Sequence, residues 1–125
     1  MGNLASWFFG PQLLGVVFLI IGIILYLFPP KRINNYYGYR TESSKRNQQT
    51  WDAANRYSTI YLLKISLVLI IAGFILTALL KEIAVPLKIK VASTVLLLIV
   101  SGMAPAILTI VSTEKYLTKT FGDKV

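Results

Sequence analysis

The hydrophobic positions of this chain fall into three long runs, and one extended polar stretch, Pro29 to Ser58, separates the first run from the second. Gln12 to Phe28 carries no charge, Ile60 to Leu80 carries only Lys64, and Val91 to Val111 again carries none. A helix needs about 20 mostly apolar residues to cross the hydrocarbon of a bilayer, and each run reaches or approaches that length. Pro11 suits the first turn of a helix, where its missing N–H costs nothing. Pro29-Pro30 ends that helix, because neither proline can donate and each restricts the residue before it. The pattern therefore predicts an all-α membrane protein with three transmembrane helices in a single domain, 1–125. The expected spans are about 11–28, 60–80 and 91–111, with a structured, partly helical loop at 29–58.

Within the polar stretch, Ser43 to Ser58 holds few helix breakers. It predicts a helix capped at Ser43 or Ser44, braced by Asp52 and Arg56 as an acid-before-base pair four residues apart, and continuing into the second span. Ser44, Gln48, Trp51, Asn55 and Ser58 then share one stripe. Amides flanking a tryptophan suit contact with backbone that needs hydrogen-bond partners, and the nearest such backbone is Asn34 to Thr41. There Tyr36, Tyr37 and Tyr39 surround Gly38, a residue type that permits positive φ or close approach by another element. Arg40 follows with a rigid fork of donors suited to a carboxylate, the carbonyl end of a helix or a lipid phosphate. Headgroup contact accounts for Lys31 and Arg32.

Other features read as membrane scaffold. Trp7, Phe8 and Phe9 suit an interfacial belt. Gly15 and Gly22 lie seven apart on one helix face; Ala72-Gly73, and Gly102 with Ala106, offer further close-packing points. Pro105 predicts a bend. Lys64 lies near the end of its span and is expected to snorkel. Lys81 to Lys90 forms a short connection around Pro86, and Glu114 to Val125 reads as a short, frayed tail.

Composition fits this picture. At 125 residues and 55% hydrophobic, the chain is too apolar for a soluble domain of its size. Its net charge of +8 raises the question of nucleic acid, but no recognition helix or RNA platform accompanies it. The basic residues sort by side instead: Lys31, Arg32, Arg40, Lys45, Arg46 and Arg56 in the loop and Lys115, Lys119 and Lys124 in the tail, against Lys81, Lys88 and Lys90 in the connection. The positive-inside rule then places the N-terminus outside a bacterial plasma membrane and the loop and C-terminus in the cytoplasm. With no Cys and no His, the usual zinc sites, thiol nucleophiles and Ser-His-Asp arrangements are absent; no catalytic residue, metal ligand or cofactor is assigned. Met1-Gly2 with Ser6 matches a myristoylation pattern only loosely, and no cleavable signal peptide is evident.

Asn34, the run Gly38-Tyr39-Arg40-Thr41, and Trp51 four residues before Asn55 stand in this order between two hydrophobic helices. This pattern resembles the SdpI family of membrane proteins. The resemblance implies a non-enzymatic protein that protects against a secreted peptide toxin, signals by capturing a regulator at the membrane, or both. The family's named member is about twice as long and has an additional N-terminal group of spans. By this resemblance Asn34, Gly38, Tyr39, Arg40, Thr41, Trp51 and Asn55 are candidate binding residues. They serve equally as a compact structural cap, with Arg40 paired to Glu42, Asp52 or a helix end. The implied partners are membrane lipid, a peptide toxin or a cytoplasmic regulator protein, and further copies of the chain. Small-residue faces around Gly15, Gly22, Gly102 and Ala106 are candidate toxin contacts. The alternatives are a small oligomeric channel or transporter, for which Lys64 is the only intramembrane charge, and a lipid-binding membrane enzyme, for which only Glu42 and Asp52 lie near enough to act as base.

Overall fold

The computed structural model describes residues 4–122. After a single 3-10 turn at Leu4–Trp7 come three helices, α1 (Pro11–Leu27), α2 (Gln48–Glu82) and α3 (Leu87–Phe121), with no strand among the described residues. α2 and α3 are each 35 residues long, or about 52 Å at 1.5 Å per residue, well beyond the hydrocarbon thickness. Their surplus length is polar and lies at one end of the bundle, where the start of α2 meets the end of α3 and the loop 28–47. Only 17% of the apolar window of either long helix is buried. The core helix of a soluble protein would be mostly covered, so these outward apolar faces are explained by lipid.

α1 lies mainly along α2, and α3 touches α2 more than α1. The α1–α2 seam depends on glycine. A Cβ at Gly15 would stand 3.0 Å from the Ile70 nitrogen, one at Gly22 2.7 Å from Leu63 Cδ2, and one at Gly73 2.4 Å from the Gln12 nitrogen. The buried face of α3 is small and hydroxylic: Ser101, Pro105, Thr109, Thr113 and Leu117, four residues apart. Its hydroxyls donate back along the helix, Thr109 to the Pro105 carbonyl at 2.7 Å and Thr113 to that of Thr109 at 2.6 Å. Ile99, Val100, Met103 and Ile107 are exposed. Lipid removes the hydrophobic reason to turn large apolar residues inward, so close backbone approach selects small ones instead.

Several expectations are corrected. α2 begins at Gln48, capped by Asn47 rather than Ser43 or Ser44. Asn47 Oδ1 accepts from the Thr50 amide at 2.9 Å while Thr50 Oγ1 accepts from the Asn47 amide at 3.1 Å, a complete capping box. Ser44 instead closes a turn with Thr41, its amide donating to Thr41 Oγ1 at 3.2 Å and its hydroxyl to the Thr41 carbonyl at 2.9 Å. Asp52 accepts from Gln48 Nε2 at 2.8 Å and forms no ion pair with Arg56. Residues 114–121 are not frayed but continue α3, because contacts with the loop and with α2 hold them. Gly15 and Gly22 are buried under α2. Gly102 has nothing closer to an added Cβ than Leu14 Cδ1 at 3.5 Å, and Ala106 is exposed. Lys64 is exposed. Met1 and Gly2 of the myristoylation pattern lie outside the described residues.

Candidate functional site

The loop between α1 and α2 folds into a cap because α2 offers it hydrogen-bond partners at one-turn intervals. Gln48 Nε2 donates to the Lys31 carbonyl at 2.7 Å, and Trp51 Nε1 to the Pro30 carbonyl at 2.7 Å. Asn55 takes both backbone groups of Tyr39, its Oδ1 accepting the amide at 2.6 Å and its Nδ2 donating to the carbonyl at 3.2 Å. Of these three stripe residues only Asn55 meets the expected backbone, 34–41; Gln48 and Trp51 reach the carbonyls of Lys31 and Pro30 before it. Trp51 is completely buried, so its indole N–H would be costly without that carbonyl.

Gly38 makes this contact possible in two ways. Its φ is 97°, and a Cβ there would stand 2.5 Å from Asn55 Oδ1 and 2.5 Å from Pro30 Cγ. Asn34 shapes the preceding turn: Oδ1 accepts the amides of Tyr36 at 2.9 Å and Tyr37 at 2.8 Å, and Nδ2 donates to the Arg32 carbonyl at 2.9 Å. The Tyr37 hydroxyl donates to the Phe28 carbonyl at 2.6 Å, tying the turn to the end of α1.

α3 holds the cap from the other side through Glu114, a residue the motif does not include. Its Oε1 accepts from the Tyr39 hydroxyl at 2.6 Å and from the Thr41 hydroxyl at 2.7 Å. Burial pushes the Glu114 carboxyl up, but hydrogen bonds from Tyr39, Thr41 and Ser43, with the charge of Arg46, outweigh it and leave the group below its ordinary value. Burial and then the adjacent carboxylate push the Tyr39 hydroxyl upward, keeping it a proton donor. Nearby, Tyr57 stacks on Tyr116 with centroids 4.4 Å apart and shares a 2.7 Å hydrogen bond with Ser112. Glu114 was legible only as a lone carboxylate just past an uncharged span, on the side where the loop lies.

The seven motif residues are thereby gathered, and they divide. Tyr39, Thr41, Trp51 and Asn55 join the loop to α2 and α3, Gly38 permits their close approach, and Asn34 holds the exposed turn before it. Arg40 is exposed; its Nη1 donates to the Asn35 carbonyl rather than to Glu42, Asp52 or a helix end. Tyr36 is 90% exposed, and Lys31 and Arg32 are exposed beside it. A cleft of about 380 Å³ adjoins this face, lined by Tyr26, Lys31, Asp52, Asn55 and Arg56 among others. Among the described residues no group of three His, Cys, Asp or Glu side chains is placed to hold a metal ion.

The sequence profile of the SdpI/YfhL protein family matches residues 31–113, from just after Pro30 through the cap and α2 to Thr113 in α3. The chain belongs to this family. Its similarity to uncharacterized protein YfhL of Bacillus subtilis (strain 168) is 45% identity over 62 residues, covering 50% of this chain and 56% of that relative; the matched part spans little more than half of the relative's length. No solved structure matches the chain. Family membership and the two long apolar helices make this a membrane protein of SdpI/YfhL type.

Proposed function

We propose that this protein is a non-enzymatic immunity or signalling protein of the bacterial plasma membrane, acting through a partner that docks on the outer surface of the cap. The observation that carries this reading is the division within the motif. Six members are consumed in building a rigid cap, which leaves Arg40, with Tyr36 beside it, as the groups presented outward. The loop and the first turns of α2 carry Lys31, Arg32, Lys45 and Arg56 against Glu42 and Asp52, so the cap is basic and fits an acidic partner. With the N-terminus outside and the cap in the cytoplasm, a secreted peptide toxin meets the spans, and the cap reports to a regulator within the cell.

The test uses toxin-sensitive cells expressing the protein and challenged with secreted peptide toxins. Arg40→Ala should abolish protection while leaving membrane insertion and thermal stability unchanged, because its side chain holds only one exposed carbonyl. Asn55→Ala should lose protection and stability together. Full protection by Arg40→Ala combined with Tyr36→Ala would refute the docking role of this surface.

A further inference from the structure

At the opposite end of the bundle from the cap, a cleft of about 460 Å³ opens between the start of α1, the end of α2 and the start of α3. Its polar lining includes Lys81, Lys90, Ser93 and Thr94, and its apolar lining includes Leu80 and Leu97. The geometry points to a binding site for the phosphate headgroup of an anionic membrane lipid, with the acyl chains laid against the leucines.

Three observations support this assignment. Lys81 is already positioned: Nζ donates to Ser6 Oγ at 2.8 Å and stands 4.1 Å above the Trp7 ring. Those contacts hold the ammonium at the cleft mouth and leave donor capacity for a ligand, since an ammonium carries three donors. Lys90 lines the same cleft, and its ammonium makes no hydrogen bond or ion pair among the described residues. α3 begins at Leu87 without a side-chain cap, so the positive end of its dipole adds to the two lysines. Glu82, the one acidic residue at this end, does not line the cleft.

Lipid is the occupant that matches both linings. Lys81 and Lys90 lie within a turn of their helix ends, while Leu76 on α2 and Leu97 on α3 line the cleft deeper in the spans, so charge gives way to apolar surface as headgroup gives way to hydrocarbon across a leaflet. Trp7, in contact with Lys81, supplies the amphipathic ring characteristic of that boundary. Lysine ammonium and hydroxyl groups together supply the donors that phosphate oxygens accept. A free anion would use the lysines but not the apolar wall.

The experiment measures lipid retention by native mass spectrometry of the purified protein released from micelles with equal phosphatidylglycerol and phosphatidylcholine. The wild-type chain should retain phosphatidylglycerol preferentially, one per chain. A lysine near a charged headgroup contributes about 1 kcal/mol, so Lys90→Gln should reduce the preference about fivefold and Lys81→Gln with Lys90→Gln about thirtyfold. Lys115→Gln with Lys119→Gln, exposed at the cap end of α3, should leave it intact. Lys90→Gln removes no contact within the chain, so its result does not depend on the double variant folding. Equal retention of the two lipids, an unchanged preference in Lys90→Gln, or displacement by inorganic phosphate at lipid-like concentrations would each overturn the assignment, the last in favour of a free phosphate site.

Discussion

Replacing Gly38 by alanine is the sharpest perturbation of the cap, because two independent penalties meet at one atom. The backbone stands at φ 97°, where an L-residue is strained by about 1–2 kcal/mol. The new methyl would also stand 2.5 Å from Asn55 Oδ1 and 2.5 Å from Pro30 Cγ. Neither neighbour yields easily, since the proline ring is rigid and Asn55 is held by three hydrogen bonds. Overpacking of that kind costs about 1–3 kcal/mol, so the cap should lose about 2–5 kcal/mol. The Tyr39 amide, bonded to Asn55 Oδ1, reports this directly by hydrogen exchange in nanodiscs. Its exchange should accelerate at least about thirtyfold, the factor that 2 kcal/mol gives for a local opening, while residues 62–73 of α2 exchange as before. Gly38→Asn separates the two causes: asparagine adopts positive φ more readily but carries the same Cβ, so it should keep the steric loss of about 1–3 kcal/mol and fall short of alanine by the strain. Unchanged exchange at Tyr39 in Gly38→Ala would refute the description of the loop as pressed against Pro30 and Asn55.

Two further predictions concern the anchors on α3 and α2. The Glu114 carboxyl lies below its ordinary value of 4.5 in the folded protein; its ionised form therefore contributes stability that is complete above that value and is lost as pH falls through the folded pKa. Tyr39 exchange should accelerate on acidification below about that value, and Glu114→Gln should lower cap stability by about 1–2 kcal/mol at neutral pH and remove the acid step. Gly73→Ala forces α1 from α2, since its Cβ would meet the Gln12 nitrogen at 2.4 Å, and should cost about 1–3 kcal/mol in thermal unfolding in micelles. Gly102→Ala, whose nearest neighbour is 3.5 Å away, should change stability by less than about 0.5 kcal/mol.

The spans were legible because uncharged runs and proline boundaries depend on local chemistry alone. The stripe of Gln48, Trp51 and Asn55 was legible because amides and an indole on one helix face require backbone partners wherever the chain goes. The helix start was not: Ser43 and Ser44 have the same capping chemistry as Asn47, and what decided among them was Thr41, which claims Ser44, and Thr50, which completes the box with Asn47. The inner face of α3 was hidden for a different reason. In a bilayer the large apolar residues face outward, so hydropathy marks the helix without marking its buried stripe, and Ser101, Thr109 and Thr113 read as incidental. Glu114 was missed because a carboxylate after a span is ordinary until Tyr39 and Thr41, more than 70 residues earlier, are brought to it.

On the proposed function, the placement of Glu114 also bears on how a cap at one end of the bundle would respond to a toxin met within the bilayer. Asn55 and Trp51 fix the loop to α2, whereas Tyr39 and Thr41 fix it to α3, so the loop bridges two helices and its geometry depends on their separation. Within the spans α3 packs on its neighbours through small residues, and Gly102 meets nothing tightly. A peptide inserting beside α3 thus has room to shift it, and a shift that separates Glu114 from Tyr39 breaks two charge-assisted hydrogen bonds at once. On the proposed function, this is the route by which an event in the membrane alters the basic surface around Arg40. The cap then serves as structure and as reporter through the same bonds. Glu114→Gln should accordingly retain toxin crosslinking to the spans while losing protection; protection at the wild-type level would show that the cap acts independently of α3.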